Sequence, residues 1–222
     1  KILFLNYLKK ILNILIIPLN FILYLHTYMN EYIYVSIPKT GTNSIHTILN
    51  NTNYNHITAN TIKKKIGNFN YSNKKSFTFF RNPIDLVKSW YYYHKYNENV
   101  IRKDVKDFYP NTIEEWVFNM NCKTHWQQDI HKKYNPDWDI NMNPLYQINW
   151  ITDDNQNIIV NDIFLFENID IECQKLFGIK PKKLNSSKKN NHNLNLNTEN
   201  KIKELFNKDI EFYNSLKKKY NY

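Results

Sequence analysis

The chain has 222 residues, of which 42% are hydrophobic and 16% aromatic, and it carries a formal net charge of +10. This length and composition fit one globular domain with a buried core and argue against a wholly disordered chain. The positive charge indicates an anionic partner, which could be nucleic acid, a membrane surface, a phosphorylated cofactor or an acidic glycan. Charge alone does not choose among these partners.

Rare residue types carry most of the information in this sequence. The chain contains 37 Asn and 28 Lys, but only three Gly and two Arg. A single lysine or asparagine is therefore weak evidence for function, whereas a single glycine or arginine is stronger evidence. Gly41 and Arg81 stand out because each follows a run of β-branched or aromatic residues.

An apolar segment precedes the predicted domain. Residues 11–29 carry no acidic or basic side chain apart from His26, and three lysines lie before them. A helix of this length spans about 28 Å, close to the thickness of a bilayer core. Asparagine and proline inside the segment favour instead a helix packed on the domain, so both alternatives stay open. We expect residues 1–30 to form this segment and residues 31–222 to form the domain.

Strands and helices alternate along the rest of the chain. The predicted strands are 31–37, 76–80 and 162–167, and the predicted helices are 42–50, 84–95, 172–179 and 198–219. The strands are rich in β-branched and aromatic residues, and the helices place apolar residues at helical spacing. Residues 180–197, rich in Lys and Asn, are predicted to form a loop. This alternation predicts a parallel sheet in an α/β domain.

The first strand-to-helix turn, "SIPKTGTNS" (36–44), has the composition of an anion site. At the carboxyl edge of a parallel sheet, free backbone N–H groups and the helix dipole point towards such a turn. Gly41 lets the backbone approach a bulky anion, and Lys39 supplies a positive charge. The hydroxyls available as further donors are those of Thr40, Thr42 and Ser44. The pattern is not a Walker A motif, in which lysine follows the second glycine.

The second turn adds an independent indication of an anion. The segment "RNPIDLVKSWYYYHK" (81–95) places Arg81 at the end of a buried strand and Ser89 two turns into the following helix. The planar guanidinium of arginine suits phosphate, and lysine does not reproduce its geometry. We therefore expect Arg81 to bind the ligand rather than to form a surface ion pair.

The two turns together resemble the nucleotide-binding motifs of the PAPS-dependent sulfotransferases. The similarity is to the carbohydrate-type branch, which includes heparan sulfate 2-O- and chondroitin-type enzymes and short bacterial and viral relatives. Further similar segments are "HITANTIKKKIG" (56–67), "HWQQDI" (125–130), "FENID" (166–170) and "LNSSKK" (184–189). The resemblance therefore covers residues 32–222.

The resemblance implies a P-loop-like, three-layer α/β domain that binds PAPS and requires no metal. The 5′-phosphosulfate would be held by Pro38, Lys39, Thr40, Gly41, Thr42, Asn43 and Ser44. The 3′-phosphate would be held by Arg81 and Ser89. Asn185, Ser187 and Lys188 lie in the segment that closes over the nucleotide in the family, and they are weaker candidates.

The reaction implied by the resemblance is in-line transfer of a sulfuryl group from PAPS to an acceptor hydroxyl. Lys39 would neutralise the charge that builds on the leaving nucleotide. The acceptor hydroxyl needs a general base, for which histidine is the usual residue near neutral pH. His56 is the preferred candidate, followed by His125 and then His46, and Glu167 is a carboxylate alternative.

Other functions remain open from the sequence. A nucleotide kinase-like P-loop enzyme is disfavoured because Lys39 precedes Gly41, and a basic nucleic-acid-binding protein is disfavoured because the lysines are dispersed. The expected partner is therefore a carbohydrate or another hydroxyl-bearing acceptor, including an acidic glycan, and not nucleic acid. If residues 11–29 form an anchor, the resemblance implies a type II protein in a Golgi-like lumen; otherwise it implies a cytoplasmic enzyme. Cys122 and Cys173 allow either a disulfide or two free thiols.

Overall fold

A computed structural model describes residues 31–49, 56–97, 103–127, 142–182 and 193–220. The strands are β1 (Tyr32–Tyr34), β2 (Lys75–Phe80) and β3 (Asp162–Leu165). The α-helices in these ranges are α1 (Thr42–Leu49), α2 (Ala59–Ile66), α3 (Asn68–Ser72), α4 (Pro83–Tyr96), α5 (Lys103–Phe108), α6 (Ile113–Met120), α7 (Ile148–Ile151), α8 (Ile169–Phe177), α9 (Leu196–Leu205) and α10 (Asn207–Lys219). Short 3₁₀ helices lie at His125–Gln127 and Phe166–Asn168.

The strands form one parallel sheet in the order β1, β2, β3. The central strand β2 pairs Ser76 with Ile33 of β1, and Phe79 with Phe164 of β3. Nearly every strand residue is buried, as the apolar runs of a doubly covered parallel sheet require. β1 is shorter than predicted, but Val35 still donates a backbone hydrogen bond to Phe77 at 2.9 Å.

Helices cover both faces of the sheet. On one face, Ile33 and Ile163 pack in a core with side chains of α2, α7 and α10. On the other face, Tyr34 and Phe164 pack in a core with side chains of α1 and α8. The prediction of an α/β domain with a central parallel sheet flanked by helices is therefore confirmed.

A separate helical cluster fixes the position of α4 beside the sheet. Trp90 and Tyr91 of α4 are buried together with Tyr109 and with Trp116 of α6. The Trp90 indole donates a hydrogen bond to the Tyr109 hydroxyl at 2.6 Å. Because these large aromatic side chains are almost fully buried, their packing fixes α4 beside the sheet.

The predicted C-terminal helix is two helices, so the expectation of one continuous helix over 198–219 is wrong. The helical backbone conformation is interrupted at Phe206, which has φ −114° and ψ 33°. The Phe206 ring is buried against Tyr146, with ring centroids 4.8 Å apart. Asp209 in the first turn of α10 also points inward. Burial of these two side chains redirects the chain between α9 and α10.

The predicted membrane anchor, residues 11–29, lies outside the described residues. Within the described ranges, no helix combines the length and the apolar character needed to span a bilayer. Cys122 and Cys173 are both buried as free thiols in different cores, so the free-thiol alternative holds in this structure. Burial raises the pKa of both thiols, which makes them poor nucleophiles.

Candidate functional site

A cavity of about 610 Å³ opens at the sheet edge where the three strands end. It is lined by the turn that follows each strand: Lys39 after β1, Arg81 after β2, and Phe166 and Glu167 after β3. The predicted cofactor-binding residues in its lining are Pro38, Lys39, Gly41, Thr42, Asn43, Ser44, Arg81 and Ser89. His56, the preferred base, also lines the cavity. Residues that are far apart in the sequence are thus brought to one place.

Left-handed backbone conformations shape the first turn. Lys39 has a φ of 66° and Gly41 a φ of 81°, a region that residues other than glycine seldom occupy. A Cβ atom on Gly41 would lie 2.7 Å from Ile169 Cδ1 and 3.2 Å from Phe166 Cε2. The sequence predicts that Gly41 lets the backbone approach an anion. The structure adds a second requirement, because the turn that follows β3 packs directly against this glycine.

The hydroxyls of the first turn donate to backbone carbonyls rather than into the cavity. The hydroxyls of Thr40 and Thr42 both donate to the Ile37 carbonyl, at 2.7 Å and 3.0 Å. Ser44 donates to the Lys182 carbonyl at 2.6 Å. Thr40 is fully buried below the turn and does not belong to the described cavity lining. In this structure, these three side chains therefore stabilise the turn.

Backbone amides provide the free donors of the first turn. The N–H groups of Thr42 and Asn43, in the first turn of α1, have no hydrogen-bond partner among the residues that the structure describes. By contrast, the N–H groups of Ser44 and Ile45 donate to the Gly41 carbonyl. Unpaired N–H groups at a helix N-terminus, together with the helix dipole, favour an anion.

Lys39 lies in an unusually apolar position for an ammonium group. Its Nζ is 3.4 Å from the centroid of the Tyr93 ring, so the cation rests on an aromatic face. Burial, with a smaller contribution from the charge of Arg81, lowers the pKa of Lys39 to about 7. Lys39 therefore gains and loses its proton near neutral pH. An anion beside it would favour the charged form.

Arg81 connects the second turn to the first. One guanidinium nitrogen donates to the Lys39 carbonyl at 2.9 Å, and the guanidinium carbon lies 4.8 Å from the centroid of the Phe166 ring. Burial lowers the pKa of Arg81, and the charges of Asp85 and Glu167 partly oppose this effect. The guanidinium stays charged and has further N–H groups for a ligand, because it carries five donors.

One face of α4 lines the cavity beside these cations. Ser89 and Tyr93, four residues apart, lie on this face together with Trp90 and His94. His94 is buried, and its Nδ1 lies 2.9 Å from the Trp90 carbonyl. Burial and the neighbouring His125 lower the pKa of His94 well below the usual value for histidine. His94 is therefore neutral, with its lone pair on Nε2.

His56 is held at the first turn by two hydrogen bonds to Ser36. Its backbone N–H donates to the Ser36 hydroxyl at 2.6 Å, and its Nδ1 lies 3.1 Å from the Ser36 carbonyl. A carbonyl oxygen only accepts, so Nδ1 carries the proton of the neutral ring and Nε2 carries the lone pair. The ring also contacts Trp126, with centroids 5.5 Å apart. Fixing the tautomer in this way is what a general base at the cavity requires.

The other two histidine candidates lie elsewhere. The Tyr109 hydroxyl, which accepts from Trp90, lies 2.8 Å from Nδ1 of His125. A hydroxyl can donate to that nitrogen or accept from it, so this contact holds the His125 ring at Tyr109 without fixing its tautomer. His46 is buried in α1 against the Tyr34 ring. Neither His125 nor His46 is part of the described cavity lining, so the geometry favours His56.

Several lining residues were not predicted from the sequence. They are Trp90, Tyr93, His94, Trp126, Ile169, Asp170, Pro181 and Lys182. Helical periodicity could have identified Tyr93, since it lies four residues after Ser89 on α4. Most of the others lie inside segments that resemble the family's motifs, but no local signal marks them individually, because their place in the cavity depends on how distant segments pack.

The charges around the cavity are mixed. Lys39, Arg81 and Lys182 supply positive charge, and Glu167 and Asp170 supply negative charge. Both carboxylates belong to the chain that follows β3, whereas Lys39 and the free amides belong to the first turn. The three cations and the unpaired amides of the first turn outnumber the two carboxylates, which favours an anionic ligand over a cation. The predicted candidates Asn185, Ser187 and Lys188 lie outside the described residues.

Comparisons with known proteins do not assign the chain to a family. No protein-family model, curated protein or solved structure matches it. The interpretation of the cavity therefore depends on its own residues and on the sequence motifs.

Proposed function

We propose that this protein transfers a sulfuryl group from PAPS to an acceptor hydroxyl, with a carbohydrate as the acceptor class. We also propose that its sheet and first turn belong to a P-loop-like three-layer fold. One observation carries the proposal: the turn containing Lys39 and Gly41, the Arg81–Ser89 pair and His56 all line one cavity. The sequence motifs required these groups to converge, although they come from three separate segments of the chain.

The residues present fit the nucleotide donor. The volume of about 610 Å³ is typical of small-molecule sites. The 5′-phosphosulfate would bind to the amides of Thr42 and Asn43 and to Lys39, and the 3′-phosphate would bind to Arg81 and Ser89. The hydroxyls of Thr42 and Ser44 would have to rotate away from their carbonyl partners to contribute. Thr40 would act only by holding the turn.

PAPS would supply the activated sulfuryl group, whose bond to the bridging oxygen breaks as the acceptor oxygen bonds to sulfur. Lys39, in its charged form, would stabilise the negative charge that remains on the nucleotide. His56 would accept the acceptor's proton at Nε2 while Ser36 holds Nδ1–H. Trp90, Tyr93 and Trp126 would exclude water from this part of the cavity.

The proposal is tested by incubating the full chain with PAPS and a panel of saccharides and phenols, and measuring release of 3′,5′-ADP. We expect release that depends on an acceptor and falls by at least about 10³-fold in Lys39→Ala. The same panel is run with ATP, because the kinase alternative predicts phosphoryl transfer instead. Phosphoryl transfer from ATP without any turnover of PAPS would overturn the proposal in favour of the kinase.

A further inference from the structure

The backbone of Arg81 is held by the side chain of a distant glutamine. The Gln147 amide oxygen accepts from the Arg81 N–H at 2.8 Å, and its amide nitrogen donates to the Arg81 carbonyl at 2.8 Å. Gln147 is fully buried, so neither hydrogen bond competes with water. The side chain thus pairs with the residue after β2 as a neighbouring strand would. These two hydrogen bonds therefore fix the position of the Arg81 backbone, from which the guanidinium side chain extends.

Gln147 is held in turn by the C-terminal helix. The Asp209 carboxylate on α10 accepts from the Gln147 N–H at 2.7 Å and from the Ile148 N–H at 3.1 Å. Asp209 is only 1% exposed. A buried carboxylate is costly unless it is hydrogen-bonded, and these two amides at the start of α7 provide the bonds. Burial still raises the pKa of Asp209 to about 7, partly opposed by these hydrogen bonds.

The connection extends to the cavity. Arg81 donates to the Lys39 carbonyl at 2.9 Å, and Lys39 has the left-handed backbone conformation that shapes the first turn. A continuous series of hydrogen bonds therefore runs from Asp209 through Gln147 and Arg81 to Lys39. Moving any one of these residues would therefore displace the residue to which it is hydrogen-bonded.

We propose that Gln147 is the positioning residue of Arg81 and that Asp209 positions Gln147. Through these two residues, the C-terminal helix α10 supports the anion site. This inference rests on the proposed function, because the ligand held by Arg81 is taken to be the nucleotide. A purely structural role predicts that Gln147 affects stability alone. A positioning role predicts an effect on ligand affinity that exists only when Arg81 is present.

The test is calorimetric titration of the full chain with 3′,5′-ADP in a double-mutant cycle. We expect Gln147→Met to weaken binding by about 10-fold to 100-fold in the wild-type background, because Arg81 is displaced. In the Arg81→Ala background, the same substitution should change the affinity less than about twofold. Equal effects in both backgrounds would overturn the inference.

Asn161→Ala provides a matched control. The Asn161 amide oxygen accepts from the Ser76 N–H at 2.8 Å, at the opposite end of β2 from Arg81. Loss of this hydrogen bond should lower the free energy of unfolding but leave the affinity for 3′,5′-ADP unchanged. If Gln147→Met weakens binding no more than this control does, Gln147 is merely structural.

A second variant keeps the inference testable if Gln147→Met does not fold. Asp209→Asn retains the Gln147 side chain but leaves one acceptor oxygen for two amides, so we expect binding to weaken about threefold or more, again only when Arg81 is present. Unchanged affinity in this variant would overturn the inference. If the folded wild-type protein itself does not bind 3′,5′-ADP, the proposed function and this inference both fail.

Discussion

The first two strand-to-helix turns of this protein have the same topology, but the helix N-terminus is uncapped in the first turn and capped in the second. In the first, the N–H groups of Thr42 and Asn43 have no partner within the described part of the chain. In the second, the Asn82 side chain accepts from the Ile84 N–H at 2.9 Å, and Pro83 has no N–H to satisfy. One helix is left uncapped at the cavity, and the other is capped.

Because of this difference in capping, the two turns have different roles. An uncapped helix N-terminus loses about 1 kcal/mol of stability and gains a site for an anion. A capped one stabilises the fold and can contribute only side chains, as Arg81 does here. We therefore expect substitutions in the first turn to affect chemistry and ligand affinity most, and substitutions in the second turn's cap to affect stability.

The largest effect that would sharpen this comparison is expected at His56, which is hydrogen-bonded to Ser36 at the start of the first turn. We expect His56→Ala to lower kcat by about 10² to 10⁴ while the Kd for 3′,5′-ADP stays the same, because a base acts on the acceptor and not on the nucleotide. Steady-state kinetics with a saccharide acceptor and calorimetry measure the two quantities. His125→Ala is the control, and a larger loss of kcat there would assign the base to His125.

The next largest effect is expected from a substitution within the first turn itself. In Gly41→Ala, the new methyl group would meet Ile169 and Phe166, and the backbone would be strained at φ 81°. We expect the affinity for 3′,5′-ADP to fall by about 100-fold. The matched control is Gly178→Ala, where φ is 69° but, apart from its chain neighbours, no atom of the described residues lies within 4 Å of the new Cβ. The control should lose about 1 kcal/mol of stability and no affinity; similar binding by both variants would contradict the role of the first turn.

An effect of at most the same size is expected from pH through Lys39. The pKa of Lys39 in the free protein is lowered to about 7, and an anion raises it, so binding takes up a proton above pH 7. The Kd for 3′,5′-ADP should therefore rise with pH between about 7 and 9, by up to tenfold per pH unit. In Lys39→Arg, whose guanidinium stays charged, the Kd should be nearly constant over this range. A flat profile in the wild type would contradict either the lowered pKa of Lys39 or its contact with the nucleotide.

The smallest effect concerns the cap of the second turn. We expect Asn82→Ala to lower the free energy of unfolding by about 1 kcal/mol through loss of the hydrogen bond to the Ile84 N–H. The Kd for 3′,5′-ADP should change less than about threefold. Chemical denaturation and calorimetry provide the two values. A loss of affinity as large as in Gly41→Ala would show that the two turns do not differ in function.

The strands, both turns and the face of α4 that carries Ser89 could be predicted from the sequence, because each depends on local pattern. The hydrogen bonds that the Thr40 and Thr42 hydroxyls donate could not be predicted, since they depend on the direction of the Ile37 carbonyl. Likewise, the preference for His56 over His125 follows from their different places in the folded chain, since His56 lines the described cavity and His125 does not.

The residues behind the site were equally invisible in the sequence. Gln147 and Arg81 are 66 positions apart, and nothing near Gln147 distinguishes it from an ordinary polar residue. The break at Phe206, which brings Asp209 to Gln147, was also missed, because amphipathic periodicity continues through it. Long-range packing, rather than local propensity, places these groups.

The most direct test of the account compares the binding of 3′,5′-ADP and 5′-AMP, which differ only by the 3′-phosphate, to the full chain and to Arg81→Ala. The account predicts micromolar binding of 3′,5′-ADP to the wild type, with 5′-AMP at least about tenfold weaker. In Arg81→Ala, the affinity for 3′,5′-ADP should fall to that for 5′-AMP. Equal binding of the two nucleotides to the wild type, or discrimination that survives in Arg81→Ala, would contradict it.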